Sequence, residues 1–271
     1  MPELPEVETT RRGIEPHCRQ RCIKKIIVRD RRLRWPVTAS LEKQAQGAVI
    51  ESIQRRAKYL LLYTTQGNLI IHLGMSGSLR ILDHHTPAAK HDHIDIILDD
   101  GQALRFRDPR RFGSVLWTRK DPLQHPRLTD LGPEPLSEDF NTDALHKRAK
   151  GRKQAIKTFI MDSRSVVGVG NIYACESLFM SGIHPNTAAG KISAKRMDKL
   201  VSSIKTVLAT AIEQGGTTLK DFTGSDGQPG YFAQSLNVYG REGEACLQCK
   251  RPVRRITQGQ RSTFYCPGCQ K

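Results

Sequence analysis

No run of about eighteen apolar residues occurs in the 271-residue chain, so no segment is long enough to cross a bilayer as a helix. No charged-then-apolar leader precedes the acidic first turn either. These two absences lead to the expectation of a cytoplasmic protein. Internal repeats and low-complexity tracts are also missing, which argues against a solenoid or a disordered array. Acids are in short supply: 27 Asp and Glu stand against 43 Lys and Arg, a formal charge of +16. The surplus is dispersed among apolar residues and not gathered into a tail. It reads as a folded surface for a polyanion, nucleic acid before membrane. Cysteines number only seven, yet the chain is long enough for two ordinary domains with real cores and needs no disulfides.

What is present changes character along the chain. A charged helical start from Pro5 to Cys18 is followed by short apolar runs at strand-like spacing. Examples are 23–28, 59–63, 68–72, 94–98, 103–107 and 114–117, separated by turn signals such as Gln66-Gly67-Asn68. Several short strands without intervening helices predict a sandwich or barrel. The proline-rich stretch 131–135 marks a boundary. Beyond it the spacing predicts helices over 143–150, 153–161, 171–181 and 193–214, with Ser193 as N-cap and Gly215-Gly216 as terminator. The expected architecture is α+β in three parts, 1–133, 134–236 and 237–271.

Four cysteines carry the strongest chemical signal. Cys246-x2-Cys249 and Cys266-x2-Cys269 have the spacing of a four-thiolate zinc site, and four thiolates leave no open coordination position. The metal is therefore expected to be structural. A basic hairpin, with Arg261 near its apex, lies between the pairs. Cys18, Cys22 and Cys175 read as ordinary small apolar residues.

Other motifs are weaker taken singly. Val166–Tyr173 has two glycines of a dinucleotide loop but not the third, and reads better as a turn opening a helix at Asn171, where a phosphate could bind. Lys58 stands at the mouth of an apolar strand. The loops around Met75 and Phe112 each carry an apolar residue that could be core, or a wedge that fills a gap in a base stack. The run Lys90-His91-Asp92-His93 fits a strand edge better than a metal pair. At the start, Pro2 could merely favour removal of Met1, and Pro5 could merely open a helix. With Met1 removed, however, the Pro2 nitrogen becomes a secondary amine with a pKa of roughly 8, a nucleophile beside Glu3 and Glu6.

Taken together, the ordered motifs MPELPE, RRAKYL, HLGMSGSLR, KHDH, DPRRFG, VVGVGNIYA, EQGGTTLKDF and the terminal four-cysteine module resemble those of bacterial formamidopyrimidine-DNA glycosylases over the whole chain. The resemblance implies an N-terminal helix plus β-sandwich, a helix–two-turn–helix module and a zinc finger hairpin holding one Zn2+. It implies excision of oxidised purines from double-stranded DNA by a monomer that also cleaves abasic sites. Position by position, Pro2 would form a Schiff base at C1′, Glu3 would move protons, and Glu6 would support it. Lys58 and Arg261 would assist strand cleavage. Met75, Arg110 and Phe112 would fill the void left by the extruded nucleotide, with Arg110 facing the orphan cytosine. His91, Arg152, Asn171 and Arg261 would grip phosphates, and the loop at 217–231 would close over the lesion. Arg152 departs from the lysine-rich run usual there, which changes the donor geometry. Leu4, where the sister class that excises oxidised pyrimidines usually has glycine, argues against that class. A zinc-finger DNA-binding protein without catalysis would explain the charge and the cysteines but not Pro2-Glu3.

Overall fold

The computed structural model describes residues 2–215 and 236–271. The expected closing loop at 217–231 and Gly216 thus lie outside the described residues. The chain divides into two compact units, one running through Asp130 and the other holding Leu131–Glu213 with the C-terminal finger.

In the first unit, α1 (Leu4–Cys18) begins with a reciprocal capping box. The Glu3 side chain accepts the Glu6 backbone N–H, while the Glu6 carboxylate accepts the Glu3 N–H at 2.7 Å. Pro5 occupies the first turn, where its missing N–H leaves no intrahelical bond unmade. Eight strands follow: β1 (Ile23–Val28), β2 (Ile50–Arg56), β3 (Tyr59–Thr64), β4 (Gly67–His72), β5 (Ser78–Asp83), β6 (Asp92–Leu98), β7 (Gln102–Arg107) and β8 (Ser114–Thr118), with a short helix α2 (Leu41–Ala45) after β1. They form two four-stranded sheets, ordered β1-β6-β7-β5 and β2-β3-β4-β8, and every paired neighbour is antiparallel. Ile26, Ile96 and Phe106 from one sheet and Ile53, Leu60 and Val115 from the other share one buried cluster with Val7 and Ile14 of α1. The sandwich is therefore closed by the helix that carries the N-terminus.

Two strands escape the apolar-run reading. In β2 charged residues interrupt the pattern, and β5 is half exposed toward its end. The run at 90–93 straddles the start of β6, with Lys90 and His91 in the preceding turn and Asp92 and His93 buried in the strand.

The second unit contains α3 (Thr142–Ala149), α4 (Ile156–Ile160), α5 (Asn171–Ser181) and α6 (Ala194–Glu213). Asn141 caps α3 by accepting the Ala144 N–H at 3.0 Å. Gly182, at φ +69°, ends α5 in the left-handed conformation. The helix expected over 153–161 is shorter. Ala155 pairs with Ala188 as an isolated β-bridge, and the Gln154 carbonyl accepts the Ala189 N–H, so helical bonding starts only at Ile156. The finger's hairpin pairs β9 (Arg254–Gln258) with β10 (Arg261–Tyr265). Its two-residue turn, Gly259 at φ +52° and Gln260 at φ +62°, has the positive dihedrals that match strand twist.

Candidate active site and nucleic-acid interface

The N-terminal residues are held tightly. Pro2, Glu3 and Glu6 are all buried, and the capping box fixes the backbone next to the Pro2 nitrogen. One turn further along α1, the Glu8 carboxylate meets Arg11 at 2.9 Å, Arg12 at 3.0 Å and Arg55 at 3.1 Å. Burial alone would raise the Glu8 pKa, but the bonds from Arg11 and Arg12 bring it below the usual carboxylate range. Arg55 also donates to the Ala57 carbonyl at 3.0 Å. That carbonyl lies in the two-residue turn Ala57-Lys58 between β2 and β3, so the same arginine ties the turn carrying Lys58 to the helix carrying Pro2. Neither Glu8 nor Arg55 stands out in the sequence.

Across the β3–β4 pair, Tyr59 faces His72 with ring centroids 4.8 Å apart. Burial, then the charges of Lys58 and Arg34, push the His72 pKa down to about 4. The neutral imidazole accepts the Gly74 N–H through Nδ1 at 3.0 Å, which anchors the start of the loop carrying Met75. Gly74 has φ +68°, and a Cβ there would lie 2.4 Å from Gly113 N and from Phe112 C. Only glycine allows the two loops to touch backbone to backbone.

A buried carboxylate completes the joint. Asp108, fully inaccessible, accepts the Ser76 hydroxyl at 2.9 Å, the Arg110 N–H at 3.3 Å and the Gly113 N–H at 2.7 Å. Its backbone N–H donates to the His91 carbonyl at 3.0 Å, and its carbonyl meets His93 Nε2 at 2.8 Å. Met75, His91, Arg110 and Phe112 are thereby collected around one hub. Phe112 remains 43% exposed, with the Arg110 guanidinium 5.0 Å from its ring centroid. A large aromatic left outside the core beside a cation suits contact with an unstacked base.

In the second unit Asn171 opens α5. Its Oδ1 accepts from Lys157 Nζ at 2.5 Å, and its Nδ2 donates to the Ser262 carbonyl at 2.9 Å. Lys157, 1% exposed, also donates to Thr263 Oγ1 at 2.6 Å. The expected phosphate ligand is thus first a strut under the hairpin that exposes Arg261. Arg152 lies in a different, exposed loop, with its backbone bonded to Ala149 and Gly190.

The finger is fastened a second time through Glu176, 1% exposed, whose carboxylate accepts the backbone N–H groups of Asn237, Val238 and Tyr239 at 2.8–2.9 Å and the Asn237 side chain at 2.9 Å. Cys175 packs with Phe179, Val238, Cys246, Val253 and Cys266 in a shared cluster. The sulfurs of Cys246, Cys249, Cys266 and Cys269 all lie within 4.8 Å of one another, with Cys249 and Cys266 3.3 Å apart. These thiolates fit one tetrahedral structural Zn2+.

Three family models cover most of the chain. The formamidopyrimidine-DNA glycosylase N-terminal domain matches residues 1–115, the H2TH domain of the same family matches 131–223, and the zinc finger found in FPG and IleRS matches 243–271. The formamidopyrimidine-DNA glycosylase of Alcanivorax borkumensis is 59% identical over all of both chains. That of Hydrogenovibrio crunogenus is 58% identical over all of this chain and 97% of the other. The chain belongs to the formamidopyrimidine-DNA glycosylase family.

Solved members of the glycosylase family share its fold. The MutM (Fpg) protein of Thermus thermophilus superposes with a TM-score of 0.89 at 38% identity, covering 99% of this chain and 98% of that one. The Lactococcus lactis Fpg in complex with DNA containing an abasic site gives 0.93 at 32%, covering 99% of each. A point mutant of the Lactococcus lactis protein, bound to DNA containing Fapy-dG, gives 0.93 at 33% over the full length of both. Among the described residues no helix is long and apolar enough to cross a membrane.

Proposed function

We propose that the chain is a base-excision repair enzyme that removes oxidised purines from duplex DNA and then cleaves the strand at the resulting abasic site. The observation that carries this reading is the platform around Asp108. It holds Met75, Arg110 and Phe112 together outside the core, where they fill the space left by an extruded nucleotide and offset part of the few kcal/mol that extrusion costs. Family membership and the relatives bound to Fapy-dG and abasic-site DNA support it.

Once Met1 is removed, the Pro2 nitrogen attacks C1′. The C1′–N bond breaks and its electron pair leaves with the base, which takes up a proton. Loss of the amine proton and opening of the sugar, with Glu3 delivering a proton to the ring oxygen, yields an iminium. The iminium acidifies C2′, so loss of a C2′ proton expels the 3′ phosphate, and a second elimination expels the 5′ phosphate. Glu6 holds the Glu3 backbone, and Lys58 contacts the phosphate beside the lesion and assists elimination. His91, Arg152, Asn171 and Arg261 are assigned to phosphates, which position the strand without reading sequence. Arg261 also assists elimination. The zinc keeps the hairpin folded. In this reading the chain works as a monomer in the cytoplasm, on nucleoid DNA.

The test is borohydride trapping on duplexes carrying 8-oxoguanine or an oxidised pyrimidine. The expected result is a covalent adduct on the purine duplex, absent after Pro2→Gly or when an extra residue precedes Pro2. Preference for the pyrimidine would move the chain to the sister class, and no adduct with either lesion would sink the enzymatic reading.

A further inference from the structure

Arg111, between Arg110 and Phe112, adopts φ +57°, a conformation that costs any residue with a Cβ free energy. The turn needs it. Reversing the chain at Arg111 is what returns Phe112 to the side of Arg110, so that guanidinium and ring meet. Two contacts hold Arg111 there: its N–H donates to the Asp108 carbonyl at 3.3 Å, and its Nη2 meets Asp30 Oδ2 at 3.1 Å.

Asp30 belongs to a segment laid along the turn. The Arg29 N–H donates to the His93 carbonyl at 2.8 Å, and the Arg34 N–H donates to the Gly113 carbonyl at 3.1 Å. Arg32 also grips the Asp30 carboxylate, at 2.9 and 3.0 Å. Bonds from Arg32, together with the charge of Arg111, keep that carboxyl well below the usual range, so it is ionised throughout the working pH range.

We propose that Asp30 is a positioning residue for base recognition: through Arg111 it holds Arg110 and Phe112 in the orientation that favours cytosine opposite the lesion. This rests on the reading of Arg110 and Phe112 as void-filling residues. A half-buried ion pair near the surface, with Asp30 still held by Arg32, contributes little to global stability, so the effect falls on orientation and not on folding.

Single-turnover excision of 8-oxoguanine opposite cytosine and opposite adenine reads the effect as a ratio. Asp30→Asn should lower the cytosine-over-adenine ratio about fivefold, the scale of one strained residue, while the melting temperature moves by no more than about 2 °C. Arg111→Gly, for which φ +57° is free of strain, should keep the ratio near that of the unaltered protein. Adding Asp30→Asn in that background should change nothing further. An unchanged ratio in Asp30→Asn, alongside a lowered one in Arg110→Ala, overturns the role of Asp30 alone. An unchanged ratio in both overturns the void-filling reading as well. A fivefold loss that persists in the Arg111→Gly background also overturns the proposal, because Asp30 would then act by another route.

Discussion

Each unit presents an arginine to solvent from a turn, Arg110 in one and Arg261 in the other, and the two turns are built by opposite means. The Arg110 turn is held from within the protein by a buried carboxylate, a glycine-to-backbone approach and a left-handed residue. The Arg261 turn is a regular two-residue hairpin whose left-handed Gly259 and Gln260 follow the twist of the paired strands. Its position comes from a metal and from two buried struts, Lys157 with Asn171 and Glu176 with the 237–239 backbone. The first turn depends on a hub of hydrogen bonds, the second on a cross-link. Each should therefore fail in its own way.

The largest difference is expected on metal removal. Chelation, or Cys266→Ser, should lower DNA affinity by about 100-fold or more, because structural zinc supplies much of the folding free energy of such a hairpin. Fluorescence anisotropy at fixed salt reads the affinity, and the thermal transition of the first unit should persist. Tight binding by metal-free protein would contradict this dependence. Asp108→Ala should instead destabilise the first unit by about 2–5 kcal/mol in urea, since it orphans the Ser76 hydroxyl and the Gly113 N–H in a buried site. Zinc content should not change.

The sequence exposed these two turns unequally. The cysteine spacing announces the cross-link outright, and the bounds of α5 and β1 follow from strong local punctuation. The hubs were hidden because their partners are distant along the chain: 32 residues separate Ser76 from Asp108, 61 separate Glu176 from Asn237, and 106 separate Lys157 from Thr263. A buried Asp or Lys has no local signature. Asn171 shows the same limit, since its position was legible but not its two structural hydrogen bonds. At the N-terminus both the modest and the chemical readings of the first six residues apply. The helix cap is real, and it is also what would orient the nucleophile.

His72 offers a pH test of the first turn. Its folded pKa of about 4 lies below the ordinary 6.5, so the unfolded chain binds the proton more readily. Its contribution to stability is complete above pH 6.5, falls as pH drops, and is gone below about pH 4. The linked loss is about 3 kcal/mol, measurable as the pH slope of urea unfolding, and His72→Asn should flatten that slope. The smallest stability effect belongs to Phe112→Ala. With its ring 43% exposed, stability should change by less than about 0.5 kcal/mol, while excision falls by about tenfold or more for want of the wedge. A large loss of stability there would return Phe112 to the core.

The central claim is that the Pro2 amine is the covalent centre, and peptide mapping of the borohydride-trapped complex tests it most directly. Trypsin should release the sugar remnant on the peptide running from Pro2 to Arg11, with fragmentation placing it on Pro2 itself. A remnant on Lys58, or on any other lysine, would contradict the account.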